Sequence, residues 1–370
     1  MPCYSYSKII TPIASNIRRY PPSPDRSLTA VTAADRLLVE WGRQQHDGGQ
    51  LTTDVYHDRF GAIGLSLSTK PTFVLTYHSQ GAAIQLNAKG SAYPSTTVVE
   101  PPAAPAELAL LRVPKSLQLF ELYLSRIATA AAPTTRVAAG FMTRHFTPRL
   151  LEIAARYAGR ITQSRARQKA RLLLLEDFHP GAEFLLPRQH VEFLGRTYLQ
   201  YPGVFSAGHI DYATQFLLGE WQDNDTLRFS DPAVLLDVAC GNGIIGGELL
   251  HHYPAARLLA TDDSVLASES ARLNLPADRA QVYWQHTLAP VADASVDLAV
   301  INPPFHFGHE QDRSVSLGLF RQIHRTLRPG GSLVVVANLH LNYATHLRQM
   351  YRVAVAAQND KFVIYRCDRD

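Results

Sequence analysis

Short apolar runs alternate with amphipathic stretches along nearly the whole chain. In the second half, Ala233–Val238, Ala256–Thr261, Gln281–Gln285, Val296–Ile301 and Ser332–Ala337 read as strands. A C-terminal pair follows at Arg352–Ala356 and Phe362–Arg366. Helical spacing of apolar residues fills the gaps at Ile244–His252, Ser264–Leu273, Ser316–Leu327 and Tyr343–Tyr351. Strands that are apolar throughout, separated by helices, predict βαβ units and parallel sheets covered on both faces.

The pattern occurs twice. Ala33-Ala34-Asp35-Arg36-Leu37-Leu38-Val39-Glu40-Trp41 echoes Ala213-Thr214-Gln215-Phe216-Leu217-Leu218-Gly219-Glu220-Trp221, each a helix that ends in Glu-Trp. Phe60-Gly61-Ala62-Ile63-Gly64 then falls where Asn242-Gly243-Ile244-Ile245-Gly246 falls later. Leu108 to Pro114 parallels Leu298 to Pro304, and both are followed by a Leu-Phe helix and a β-rich run. The shared order predicts a duplicated domain rather than a solenoid, whose period is only ~20–50 residues. The expected domains are 1–185 and 186–370, joined near Asp177–Pro187.

Composition narrows the function classes. The 370 residues are 46% hydrophobic and 18% charged, which excludes a disordered chain. No window approaches the ~20 apolar residues of a membrane span, and the polar N-terminus does not read as a signal peptide. A cytoplasmic protein is the expectation. Cys3, Cys240 and Cys367 form no metal-ligand spacing, the 15 histidines are scattered, and no metal is expected.

The formal charge of +4 names no partner, but its distribution suggests one. Between Arg136 and Arg171 stand Arg144, Arg149, Arg156, Arg160, Arg165, Arg167 and Lys169, opposed only by Glu152. Such a stretch is either a solvated helix face or a phosphate-binding surface.

The chemistry concentrates in the second half. Leu235-Leu236-Asp237-Val238-Ala239-Cys240-Gly241-Asn242-Gly243 runs a strand into a glycine turn, and Asp262 ends the next strand. Strand ends of this kind border the ligand crevice of a doubly wound sheet, where an acid accepts hydrogen bonds from ribose hydroxyls. After the fourth strand comes Asn302-Pro303-Pro304-Phe305. Two prolines remove two N–H donors and fix a rigid loop. The Asn302 side chain and the Pro303 carbonyl are left as acceptors for the hydrogens of an exocyclic amine. Phe305 can stack on a base reached from a single strand or by flipping.

These residues resemble class I S-adenosyl-L-methionine-dependent methyltransferases with the Asn-Pro-Pro-Phe signature of amino-group methylation. More narrowly, the chain is similar to bacterial ribosomal RNA guanine-N2 methyltransferases of the RlmG and RsmC type. Pro202-Gly203-Val204-Phe205-Ser206, Ile210-Asp211 to Gln215, Asp237 to Gly246, Asn302 to His306 and Ala337-Asn338-Leu339-His340-Leu341 carry that likeness. Phe60-Gly61-Ala62, Val113 to Leu117, His309 and Asn359 to Val363 favour the large-subunit branch.

The resemblance implies an α/β architecture of two tandem Rossmann-like class I methyltransferase domains, the N-terminal one degenerate. It also implies S-adenosyl-L-methionine as cofactor and ribosomal RNA (most specifically 23S) as substrate; the duplication, which already supplies two domains, suggests a monomer. Phe205, Ser206, Asp237, Ala239, Gly241, Gly243, Asp262, His286 and Asn302 would hold the cofactor. Asn302, Pro303, Pro304 and Phe305 would carry catalysis, and Phe305 and His306 would meet the base. Asn338-Leu339-His340 departs from a more basic family pattern, and Gln285-His286-Thr287 departs from it near the adenine.

The first half lacks the Gly-x-Gly pair, and Arg112-Val113-Pro114-Lys115 replaces Asn-Pro-Pro. It is expected to be a catalytically dead copy that holds RNA through Arg112, Lys115, Arg165, Arg167, Lys169 and Arg171. The competing readings are a 16S rRNA enzyme, methylation of adenine N6 or of a protein glutamine, and an RNA-binding assembly factor without catalysis.

Overall fold

The computed structural model describes residues 16–23, 25, 27–46, 49–179, 186–206, 208–304, 306–307, 310–311 and 313–370. Phe305 and His309 lie outside the described residues, and only the backbone of His306 is described. The chain divides into two compact units, one of residues 1–75 and 80–184, the other of residues 76–79 and 185–370.

The first unit contains α1 (Ala33–His46), β1 (Thr53–Tyr56), β2 (Thr72–Leu75), α2 (His78–Asn87), β3 (Ser95–Thr97), β4 (Leu108–Arg112), α3 (Leu117–Ala130), β5 (Arg136–Met142), α4 (Pro148–Ala154), β6 (Ala158–Gln163) and β7 (Ala170–Phe178). Its seven strands lie in the order β3-β2-β1-β4-β5-β7-β6. All pairings are parallel except those of β7, which runs antiparallel to both neighbours.

The second unit opens on a hairpin, β8 (Gln189–Phe193) and β9 (Arg196–Gln200), which the apolar pattern did not reveal. It continues with α5 (Tyr212–Asp223), β10 (Val234–Val238), α6 (Ile244–His252), β11 (Arg257–Asp262), α7 (Val265–Asn274), β12 (Ala280–Trp284), β13 (Val296–Ile301), β14 (His306–Phe307), β15 (Glu310–Gln311), α8 (Ser314–Thr326), β16 (Leu327–Asn338), α9 (Ala344–Leu347), β17 (Arg352–Gln358) and β18 (Phe362–Asp368). The sheet order β12-β11-β10-β13-β16-β18-β17, with β18 antiparallel to β16 and β17, reproduces the first sheet strand for strand.

Burial explains why these runs became strands. All six residues of β13 are buried, as a central parallel strand covered on both faces requires. One face of the sheet packs Leu235, Val300 and Val334 against Leu217, Ile245 and Leu249 of the helices. The other packs Leu236, Ile301 and Val335 against Leu319, Phe320 and Ile323. The edge strand β17 is mostly exposed. Short polar side chains start the helices: Asp211 accepts from Ala213 and Thr214 N–H, Ser264 from Ala267 N–H, and Ser116 from Leu119 N–H.

Some expectations shift. α1 and α5 run past their Glu-Trp pairs, to His46 and Asp223. The helix expected over Tyr343–Tyr351 is only Ala344–Leu347. The Arg136–Arg171 stretch is not one helix face, because it forms β5, the short α4, β6 and the start of β7.

The duplication reaches the backbone and the polar interior. His57 and Ala239 hold φ of 57° and 58°, and Gly61 and Gly243, four residues later in each turn, hold 79° and 80°. Both α2 and α7 end in asparagine. Asn274 accepts from Leu199 N–H at 2.8 Å and donates to the carbonyls of Leu199 (2.7 Å) and Asn242 (2.8 Å). Asn87 accepts from Arg18 N–H at 2.9 Å and donates to the carbonyls of Arg18 (2.9 Å) and Phe60 (3.0 Å). Each asparagine thus ties the glycine turn of its own unit to the segment that precedes the first helix.

Candidate active site

In the second unit the ends of β10, β11 and β13 carry the predicted residues. Asp237, near the end of β10, is fully buried. Its Oδ2 accepts from Gly246 N–H at 2.9 Å, while Oδ1 has no partner among the described residues. Loss of solvent, with Asp262 adding like charge, pushes its carboxyl up to about 7. Gly246 is required by this packing, since a Cβ there would stand 2.6 Å from Leu258 Cδ2 and 3.0 Å from Asp237 Oδ2.

The turn that follows is left-handed at Ala239 (φ 58°), Gly241 (57°) and Gly243 (80°). An alanine in that region costs about 1–3 kcal/mol, so the surrounding structure holds this turn against strain. Gly241 differs from Gly246 in its surroundings, because a Cβ built on it meets nothing within 4 Å. The space beside it is open, as a close-approaching ligand requires. Asn242 is also buried and donates from Nδ2 to Gln200 Oε1 at 3.2 Å.

Asp262 bridges the two strand ends. Its Oδ2 accepts from Gly241 N–H at 2.9 Å and its Oδ1 from Ser264 N–H at 2.8 Å. Burial pushes this carboxyl up to about 7 as well, against the pull of the two N–H donors. Each oxygen keeps a second lone pair, enough for two hydroxyls.

Asn302 follows β13. Its Nδ2 donates to Asp211 Oδ2 at 2.9 Å and to Thr214 Oγ1 at 3.2 Å. Among the described residues no donor reaches its Oδ1 or the Pro303 carbonyl. The Pro304 carbonyl is occupied by Ser316 Oγ at 2.6 Å, which pins the two-proline loop to α8. The sequence reading missed Asp211 and Thr214 as site residues. The signal was present in Asp211-Tyr212-Ala213-Thr214, a cap at the start of an amphipathic helix.

Other expected residues sit as follows. Phe205 is 60% exposed, and Ser206, at φ 61°, has its Oγ 3.2 Å from His209 Nε2. His286 places Nδ1 2.7 Å from Nδ1 of His78, which begins α2 but falls, with residues 76–79, in the second unit. That nitrogen is therefore engaged with the His78 ring. Burial lowers the pKa of both rings, and a nitrogen-to-nitrogen hydrogen bond needs one as donor and the other as acceptor. Cys240 is buried and its thiol is pushed well up, so it is inert. Among the described residues no cluster of His, Cys, Asp or Glu could hold a metal ion.

Strand register shows what the first unit has in each place. With Arg112 set against Asn302, Tyr56 and Leu111 pair as Val238 and Ile301 do. Val55 then stands where Asp237 stands, and Arg59 where Gly241 stands. From the β1–β2 and β10–β11 registers, Leu75 stands where Asp262 stands. Gly61 keeps the place of Gly243, but both acids, the open glycine and the amide of the crevice are replaced. The turn's backbone outlives its chemistry. Asp58, also pushed up to about 7 by burial, accepts from the N–H groups of Ile63 and Gly64 and so serves its own turn.

Several of the candidate phosphate-binding cations are engaged within the fold. Arg112 pairs with Asp35 at 3.1 Å and donates to the Gly140 carbonyl, and Arg167 pairs with Glu40 at 2.7 Å. Arg149, Arg156 and Arg160 pair with Glu152, Glu121 and Glu176, and Arg171 donates to Gln163. Lys115, Arg165 and Lys169 are exposed and pair with no carboxylate among the described residues.

Comparison with known proteins bears on this arrangement. The family model of the RLMG N-terminal domain matches residues 9–179, and that of the methyltransferase small domain matches 195–366. A ribosomal RNA large subunit methyltransferase G of Streptomyces coelicolor is 31% identical over 374 residues, covering 96% of this chain and 98% of the relative. The chain belongs to the ribosomal RNA large subunit methyltransferase G family. The Ectopseudomonas mendocina protein of that name is 30% identical, covering 97% of this chain and 99% of its own length. Among solved structures, the T. thermophilus 16S rRNA N2 G1207 methyltransferase, in complex with AdoMet and guanosine, matches with a TM-score of 0.74 at 20% identity. The match covers 90% of this chain and 92% of that one. That likeness carries the fold, two tandem Rossmann-like methyltransferase domains, through both halves.

Proposed function

We propose that this protein transfers a methyl group from S-adenosyl-L-methionine to the exocyclic N2 of a guanine in ribosomal RNA, most specifically 23S rRNA. The observation that carries this reading is the orientation of Asn302. Its amide hydrogens are held by Asp211 and Thr214, which leaves Oδ1 as the acceptor that, with the Pro303 carbonyl, would meet a substrate. Two fixed acceptors suit the two hydrogens of a planar amino group.

The residues present fit the cofactor: open space beside Gly241, an unpartnered buried oxygen on Asp237 and spare lone pairs on Asp262. Asp262 would take the ribose hydroxyls, and Asp237 with the glycine turn would take the methionine portion. When bound, the cofactor supplies a methyl group already activated by its sulfonium. The chain's own work is therefore orientation and electrostatics. Guanine N2 is a weak nucleophile because its lone pair is delocalised into the ring. Hydrogen bonds from both its hydrogens to Asn302 Oδ1 and the Pro303 carbonyl would favour a pyramidal nitrogen with its lone pair freed from the ring. Phe305 and His306 would meet the base, and Phe205 and Ser206 would cover the cofactor.

The first unit, stripped of these groups, would hold RNA through Lys115, Arg165 and Lys169, with the chain acting as a cytoplasmic monomer. Among the described residues no helix is long and apolar enough to cross a membrane. Nucleoside analysis of 23S rRNA from cells lacking the gene tests the reading. One N2-methylguanosine should be lost and restored by the wild-type gene but not by N302A. An unchanged 23S rRNA would overturn the assignment.

A further inference from the structure

The geometry points to Asp211 as a positioning residue that fixes which way round the Asn302 amide stands. An asparagine carboxamide is nearly symmetric in shape, and rotation by half a turn exchanges its acceptor for a donor. Only one orientation serves an amino substrate, since the other sets N–H against N–H. Asn302 sits in a loop whose prolines fix the backbone but leave the terminal amide free to turn. The partner on the far side of the amide therefore decides.

That partner is a carboxylate, which when ionised can only accept. Asp211 Oδ2 lies 2.9 Å from Nδ2, and Thr214 Oγ1 also accepts from Nδ2 at 3.2 Å. Turning the amide would place its oxygen against the carboxylate, two acceptors face to face. Asp211 is itself held in place, because the same Oδ2 accepts from Ala213 N–H at 3.0 Å and Thr214 N–H at 3.2 Å as the cap of α5. The helix thus fixes the carboxylate, and the carboxylate fixes the amide. Negative charge on the nitrogen side of an amide also polarises it, so Oδ1 becomes a stronger acceptor toward the substrate. The first unit, with Arg112 in place of Asn302, has no amide to orient.

This inference rests on the proposed reaction, and its test separates the two. D211N and D211S each keep a residue competent to cap α5, so the fold is retained. Neither is restricted to accepting: an asparagine or serine at 211 can donate and tolerates the turned amide. Both variants should lower kcat on the order of 10–100-fold, the cost of a misplaced group at a reacting centre, with cofactor Kd and Tm little changed. In the N302A background, D211S should add no further loss, because there is no amide left to orient. A wild-type kcat in both single variants, or a full additional loss in the double variant, would overturn the proposal.

A readout without turnover keeps the two readings apart. The Asn302 side-chain amide protons, followed by NMR, should be exchange-protected and shifted downfield in the wild type and lose both properties in D211S. Unchanged signals would overturn the role of Asp211. An oriented amide in a wild-type protein that methylates no RNA would instead overturn the reaction.

Discussion

Asn302 Nδ2 lies 2.9 Å from Asp211 Oδ2, across 91 residues of sequence, and this bond ties the amide of the loop after β13 to the cap of α5. If the offered Oδ1 and Pro303 carbonyl act as the amine's acceptors, N302A should cut methyl transfer about 10²–10³-fold. Cofactor binding by calorimetry should stay near wild type, because Asp237, the glycine turn and Asp262 are untouched.

The carboxyls of Asp237 and Asp262 are raised to about 7 without a ligand. Hydroxyl and ammonium donors favour the ionised forms, so bound cofactor should lower both pKa values again. Cofactor affinity should fall as pH drops from about 8 to about 6, and D262N should bind weakly with a flatter pH dependence. Calorimetry across that range checks both.

The same shifts set the stability of the ligand-free protein. A folded pKa of about 7 against an ordinary value of 3.8 means the folded state binds more protons in the interval between them. Stability from Asp237 and Asp262 is therefore fully present below the unfolded pKa and lost as pH rises through the folded one. D237N should raise the stability of the free protein at about pH 8 by on the order of 2 kcal/mol while weakening cofactor binding. Thermal melts with and without cofactor read both effects.

Two glycines in the same motif should behave differently. G241A adds a Cβ that meets nothing in the chain. It should cost only about 1–2 kcal/mol for its left-handed backbone, yet block the cofactor. G246A drives a Cβ toward Leu258 and Asp237, and should cost about 1–3 kcal/mol through overpacking. Melting temperatures and cofactor Kd separate the two.

If the first unit holds RNA, charge reversal at Lys115, Arg165 and Lys169 should weaken RNA binding. The salt dependence should flatten by roughly one unit of slope for each phosphate no longer neutralised. Cofactor affinity should not change. Reversal at Arg167, which is engaged with Glu40, should act mainly on stability.

Much of this could be read from the chain. The strands of the second sheet, Asp237, Gly241, Gly243, Asp262 and Asn302 were visible because period and motif are local signals. So was the replacement of Asn302 by Arg112. The substitution of Asp262 by Leu75 was not, since it emerges only once strand register fixes which residues are equivalent. Asp211 was hidden for a similar reason: in sequence it is a helix cap, and its second role depends on a loop 91 residues away. The paired asparagines Asn87 and Asn274 carry no local pattern at all, being single polar residues at helix ends. Charge counted along the chain ignores the carboxylates that folding brings from elsewhere, Asp35 and Glu40 among them, so which cations are paired was not legible.

The most direct test is transfer of labelled methyl from S-adenosyl-L-methionine to protein-free 23S and 16S rRNA, followed by nucleoside analysis. Label should appear as N2-methylguanosine in 23S rRNA. Label in adenine, in protein or in 16S rRNA alone would contradict the proposed reaction.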